Sequence, residues 1–327
     1  MGGLSPQREV SLAAGRTVHA TLLEKGYDAV QVFVDRDLDL VLRQMNVEVA
    51  FNALSGPYGE DGRVQGMLEL MGIPYTGSGP MASALANDKV RAKEVLRLYN
   101  LPTLPSYVLT SEDQDRVETV HGTFGYPCVV KPVHGAGALG MSMVTGPEEL
   151  QAACELALRF DDQVMIERYV SGIEMTVAVL DGQALGALEI VPEGPLYDYL
   201  SKHVGQRVEF HCPARLSPGR YQGVLTQAVQ AYRAVGCKGL TLVDIILTES
   251  GNEFILELDT QPPLTPASPV LKLAHYQGLD LAGILESMLD EALADGPQTA
   301  RLIGDRRVRQ VSFEGDDRRA ISLAKPQ

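Results

Sequence analysis

Three carboxylates stand in two otherwise apolar stretches: Asp244 within Leu240–Thr248, and Glu257 with Asp259 within Glu253–Asp259. Both stretches read as strands, joined at Ser250-Gly251. A two-residue loop there puts Asp244 opposite Glu257, with Asp259 two residues along on the same face. Carboxylates gathered on a largely buried sheet face repel one another and lose hydration unless a cation neutralises them. An all-oxygen set suits Mg²⁺, with Mn²⁺ as a substitute, bridging nucleotide phosphates. Solvated strand-edge acids are the alternative.

A second pattern, Gly135-Ala136-Gly137-Ala138-Leu139-Gly140, satisfies G-x-G-x-x-G, the spacing of a dinucleotide-binding turn. That turn must open a helix, whereas Met141–Thr145 reads as extended, so the loop is a strand–loop–strand flap. Backbone N–H groups around Gly135 and Gly137 can fold over phosphate oxygens, with Lys131 on the preceding strand supplying positive charge. A plain hairpin turn would look the same. Lys89 and Lys131 in the second predicted unit and Lys202 in the third could together neutralise a triphosphate, although isolated lysines are usually solvated. His134 and His203 show no metal-ligand spacing.

The elements that must position these groups follow an α/β pattern, α+β overall. Ser5-Pro6 opens a helix with a hydroxyl cap and proline at the first helical position, and Gly26 closes it. Two β-rich runs, Ala29 to Val34 and Val47 to Leu54, alternate with helices as in a parallel sheet. Such a sheet would place a strand before the first helix, and too few residues precede Gly2-Gly3 to form it. Either the true start lies upstream or the N-terminal sheet lacks its first strand. A single helix from about Met81 to Tyr99 opens a second unit, which continues with strands at Ser106–Leu109, Cys128–Pro132, Met141–Thr145 and Gln163–Glu167. A third unit carries Met175–Leu180, Ala184–Val191, the two acid-bearing strands and a helix with an apolar stripe from Leu281 to Ala292. The boundaries are placed at 1–79, 80–172 and 173–295. Residues 296–327 form a tail expected to be disordered, with seven Lys/Arg against four Asp/Glu in 301–327.

Composition narrows the function. The net charge of −14 disfavours nucleic acid and anionic membranes as partners. No apolar run is long enough to span a bilayer and no signal peptide is visible, which points to the cytoplasm. Cys128, Cys154, Cys212 and Cys237 form no C-x-x-C pair and are expected to be free thiols.

The chain resembles the D-alanine–D-alanine ligases of the ATP-grasp superfamily from Gly2 to about Leu293. The resemblance is carried by Gly2-Gly3-Leu4-Ser5 with Arg8-Glu9-Val10-Ser11, by Gly59-Glu60-Asp61-Gly62-Arg63-Val64-Gln65-Gly66, and by Gly72-Ile73-Pro74-Tyr75-Thr76-Gly77-Ser78. Asp88-Lys89, Val130-Lys131-Pro132, Tyr197-Asp198-Tyr199, Cys212-Pro213-Ala214 and Ser268 complete it. It implies a three-domain ATP-grasp fold, with ATP held between the second and third units. One D-alanine carboxylate is phosphorylated, and the amine of a second attacks the acyl phosphate to give the dipeptide of peptidoglycan precursors. It further implies Lys89, Lys131 and Lys202 at the phosphates, Glu167 and the backbone around Tyr169 at the adenine, and Glu174 at the ribose. Asp244, Glu257 and Asp259 would hold Mg²⁺, and Gln7, Lys202, His203 and Ser268 would stand by the reacting groups. A homodimer is the implied assembly.

The substrate half departs from the family pattern. Gln7 replaces a Glu that receives the substrate ammonium, and Ser55 replaces a His nearby. Gly137 and Ala138 replace two flap serines, and His203 replaces a tyrosine that such a serine meets. Leu242 stands for an arginine and Pro263 for a glycine N–H, both of which would stabilise the tetrahedral oxyanion. Asp259 replaces an Asn and remains a competent oxygen ligand. Three readings follow: a ligase of this type, with turnover intact or impaired; a non-catalytic paralogue that binds Mg-ATP; or a ligase for another small-molecule acid.

Overall fold

The computed structural model describes residues 1–110, 112–113, 124–135, 137–194, 196–197 and 208–295. Lys202, His203 and the tail 296–327 lie outside the described residues.

The N-terminal part contains α1 (Arg8–Glu24), α2 (Leu38–Gln44) and α3 (Arg63–Met71). The two expected strands reduce to single parallel bridges, Gly2 with Val34 and Ala50 with Tyr75. Each is held by a pair of hydrogen bonds, which is too little to propagate a ladder. Val34 N–H donates to Met1 O and the Met1 amino group to Val32 O, while Ala50 N–H donates to Pro74 O and Thr76 N–H to Ala50 O. Val32, Val34, Val47 and Ala50 still pack beside Leu38, Leu42, Leu54 and Leu68, so the hydrophobic pattern holds where the ladder does not. Helix α1 also starts later than Ser5-Pro6 suggests. Gln7 is its N-cap position and makes no side-chain cap. Ser5 Oγ instead accepts from Gln7 N–H at 3.1 Å and donates to Ser55 O at 2.5 Å, tying the turn before the helix to the Ser55 segment.

The stretch expected to be one helix from Met81 to Tyr99 is two, α4 (Pro80–Asn87) and α5 (Lys89–Leu98). Asp88 breaks it, with extended φ/ψ of −89° and 99°, and its carboxylate caps α5 by accepting from Val90 and Arg91 N–H. An aspartate can offer the backbone this alternative to a continuing helix.

Four strands follow, β1 (Ser106–Thr110), β2 (Cys128–Pro132), β3 (Ser142–Val144) and β4 (Gln163–Arg168). They form an antiparallel sheet in the order β1-β4-β2-β3. Helix α6 (Pro147–Ala157) buries Leu150, Ala153, Cys154 and Ala157 against it. A second antiparallel sheet has the order β7-β6-β5-β8-β9, comprising β5 (Gly172–Leu180), β6 (Gln183–Pro192), β7 (Val208–His211), β8 (Leu240–Thr248) and β9 (Glu253–Asp259). Its two faces have different fates. Met175, Val177, Val243, Ile245 and Ile255 pack under α7 (Pro218–Val235), while Ala178, Leu180, Leu188 and Leu240 meet α8 (Pro269–Tyr276) and α9 (Leu281–Asp295). Each of these Val, Leu, Ile and Met side chains, fully buried, contributes about 1.5–3 kcal/mol. Residues of the second face nearer the first sheet line the site. The four cysteines are free thiols, and burial pushes that of Cys128 up to about 11.

Candidate active site

The acid-bearing hairpin reaches the expected pairing by an unexpected route. Its tip is a three-residue loop, since Thr248 N–H donates to Asn252 O, and Leu247, Ile246 and Ile245 face Glu253, Phe254 and Ile255. Carried onward, that register would put Glu257 opposite Val243, on the core side. A bulge intervenes between Asp244 and Ile245, and beyond it Asp244 faces Glu257 and Leu242 faces Asp259. The extra residue, Leu256, and Glu257 both reach the cleft. On the neighbouring strand Thr176 pairs with Asp244, and Glu174 lies two residues from it on the same face.

Two adjoining cavities, of about 630 and about 440 Å³, occupy the cleft between the sheets and the N-terminal part. Lys89, Gly135, Asp244, Glu257 and Gln7 line both. The larger adds Lys131, Glu174, Leu256 and the flap residues Ala138 and Leu139. The smaller adds Gly137, Ser55, Glu60, Thr176, Leu242, Asp259, Pro263 and Ser268. Lys131 and Glu174 thus line the larger cavity and Ser55, Leu242, Pro263 and Ser268 the smaller, while Gln7 lines both.

Lys89 is set by the helix break. Its N–H donates to Val133 O, and its Nζ donates to Gly135 O at 2.6 Å, at the root of the flap. Gly135 N–H donates to Asn87 Oδ1 at 3.1 Å. The flap is the anticipated hairpin, β2 pairing β3, and Gly135, Gly137 and Ala138 adopt positive φ. Ser268 caps α8, its Oγ accepting from Val270 N–H at 3.3 Å. Next to Ser55, Gly56, with φ 75°, leaves room for Gln7, since a Cβ there would meet Gln7 Oε1 at 2.6 Å.

Two predicted residues fall elsewhere. Glu167 and Tyr169, expected at the adenine, do not line either cavity. Tyr169 N–H donates to Pro127 O. The Glu167 carboxylate, 3% exposed, is held between Lys131, at 2.7 Å, and Lys93. Burial works against its charged form, but the two lysines prevail and keep its pKa below the usual carboxylate range. Burial likewise lowers the Lys93 pKa.

Sequence reasoning gave no role to Lys93, although its place four residues after Lys89 puts both on one face of α5. Nor did it single out Glu60, whose burial, with Asp259 nearby, raises its carboxyl pKa well above the ordinary range. His134 bonds Asp161 at 3.0 Å and lies 3.6 Å from Asp88. The Asp161 contact chiefly raises the His134 pKa, while Asp161 sits at about 2 because its hydrogen bonds with His134 outweigh burial.

Two antiparallel sheets closing on a lysine-lined and acid-lined cleft, with a glycine flap above, define an ATP-grasp architecture. Family models for the D-ala D-ala ligase N-terminus and C-terminus match residues 39–78 and 95–290. The chain is 45% identical to a D-alanine–D-alanine ligase of Geobacter sulfurreducens over 293 residues, covering 89% of this chain and 92% of that one. It is 43% identical to one of Geotalea uraniireducens, with 89% and 94% covered. Among solved structures, a D-alanine–D-alanine ligase of Bacillus anthracis complexed with ATP superposes with a TM-score of 0.78 at 28% identity, over 93% of this chain and 98% of that one. The VanG D-Ala:D-Ser ligase of Enterococcus faecalis gives 0.78 at 25% identity, over 89% and 97%. The chain belongs to the D-alanine–D-alanine ligase family.

Proposed function

We propose that the protein is an ATP-dependent carboxylate–amine ligase forming a D-alanyl dipeptide for peptidoglycan precursors, and that it works in the cytoplasm as a homodimer. The observation that carries this reading is the division of one cleft into a phosphate-suited cavity and a substrate-suited cavity sharing Lys89, Asp244 and Glu257. In the larger cavity Lys89 and Lys131 neutralise phosphate oxygens, the flap N–H groups cover them, and Glu174 reaches the ribose. The first D-alanine lies in the smaller cavity beside Gln7 and Ser55. Its carboxylate takes the γ-phosphoryl group, and the amine of the second D-alanine attacks the resulting acyl phosphate, releasing phosphate.

The donor set of Asp244, Glu257 and Asp259 is all oxygen and fits Mg²⁺. When bound, the ion would neutralise the charge between the β- and γ-phosphates. No helix among the described residues is long and apolar enough to cross a membrane.

Coupled measurement of ADP and phosphate release with D-alanine tests the proposal, alongside a panel of other amino and hydroxy acids. Release with D-alanine, abolished by chelating divalent cations, is the expected result. Tight ATP binding without release under any acid would refute the ligase reading and leave the non-catalytic one, while release only with another acid would refute D-alanine as substrate. Light scattering at the mass of two chains is expected for the dimer.

A further inference from the structure

Lys93 lies one turn beyond Lys89 on the same face of α5, but its side chain is 2% exposed and lines neither cavity. Its Nζ donates to Leu104 O at 2.9 Å and pairs with Glu167 Oε1. The other oxygen of that carboxylate, Oε2, pairs with Lys131 Nζ at 2.7 Å. Lys131 in turn lines the larger cavity, which Lys93 and Glu167 do not reach. Two cations thus share one buried anion, and the only member facing the cavity is a lysine.

Charge counting gives the consequence. A buried Lys131–Glu167 pair on its own would be neutral, and the carboxylate would draw the ammonium back into the protein. With Lys93 on the second oxygen, the cluster carries one net positive charge, directed where Lys131 meets the cavity. We propose that Lys93 is a positioning residue for the nucleotide: by occupying one oxygen of Glu167, it leaves the charge of Lys131 available to phosphates. This rests on the reading of the larger cavity as the nucleotide site.

The test is calorimetric titration of the full chain with ATP and with adenosine, in the presence of Mg²⁺, and the readout is the ratio of the two affinities. A role confined to packing would weaken both ligands together and leave that ratio unmoved. Lys93→Met is expected to lower the ATP-to-adenosine ratio about 10- to 100-fold, the worth of a charge-assisted contact. Lys93→Met with Glu167→Gln is expected to restore it toward the wild-type value, because the competing anion is gone. A ratio unchanged in folded Lys93→Met, or not restored in the double variant, overturns the proposal. Should Lys93→Met fail to fold, Glu167→Gln alone must raise the ratio, and no rise overturns it equally. Wild-type protein that binds neither ligand would refute the nucleotide site itself, whereas wild-type binding with an unmoved ratio refutes only the part given to Lys93.

Discussion

Replacing Leu242 by Arg together with Pro263 by Gly should raise dipeptide synthesis. Both positions line the smaller cavity, and Leu242 faces Asp259 across the β8–β9 ladder. An arginine there would enter beside a carboxylate that offsets part of its desolvation, and glycine restores a backbone N–H that proline lacks. One oxyanion donor is worth roughly 100- to 1,000-fold in kcat, or about 2.7–4 kcal/mol. Two donors in one site do not multiply, so a gain of about 100-fold is the working expectation. The stability cost is bounded by the structure. Leu242 is 9% exposed, so losing its burial costs at most about 1.5–3 kcal/mol, and Pro263→Gly adds about 1 kcal/mol by loosening the unfolded chain. Against a typical total of about 5–15 kcal/mol, the variant should stay folded. Phosphate release with D-alanine at saturating ATP, paired with a thermal melt, reads both quantities. A folded variant with unchanged turnover would show that no oxyanion forms beside these two residues.

Gly56→Ala forces a left-handed backbone onto alanine and drives its Cβ against Gln7, so a loss of about 1–2 kcal/mol and a raised KM for the amino acid are expected in melts and steady-state assays. Leu256→Ala removes part of the apolar wall of the larger cavity and should weaken ATP binding by up to about 2 kcal/mol without altering its Mg²⁺ dependence, measured by titration. The His134–Asp161 pair predicts a pH profile. The raised His134 pKa stabilises fully below the ordinary histidine value and fades as pH rises through the folded one; the depressed Asp161 pKa stabilises above the ordinary aspartate value and fades as pH falls toward about 2. Melts of wild type and His134→Ala should therefore differ most near about pH 5, by less than about 1 kcal/mol because the pair is partly solvated, and converge as pH rises through the raised His134 value.

The strands Cys128–Pro132, Leu240–Thr248 and Glu253–Asp259 were legible to the residue because alternation and β-branched content change sharply at their ends. The N-terminal strands were not, since a hydrophobic pattern reports which residues are buried and says nothing of whether a partner backbone runs alongside long enough to form a ladder. The break at Asp88 was concealed by helical periodicity on both sides, although an aspartate followed by a lysine-rich turn is also how a new helix begins. The facing of Asp244 and Glu257 was anticipated on a two-residue tip, and it holds because a longer tip and a bulge combine to the same result. The Lys93–Glu167–Lys131 cluster joins residues remote in sequence, and no local pattern announces such a contact. Lys202 and His203 fall outside the described residues, so their expected roles rest on the resemblance alone.

The bulge has an evolutionary corollary. Excising Leu256 would leave Glu257 as the next residue after Ile255, regular pairing would resume, and the metal-suited acids would keep their alignment. Lengthening or shortening the exposed tip would spare them too, because Ile245 and Ile255, buried in the core, anchor the ladder below it. This hairpin can thus change length at its tip and lose its bulge residue while its chemistry stays in file, and length variation there is a poor guide to whether a relative remains active.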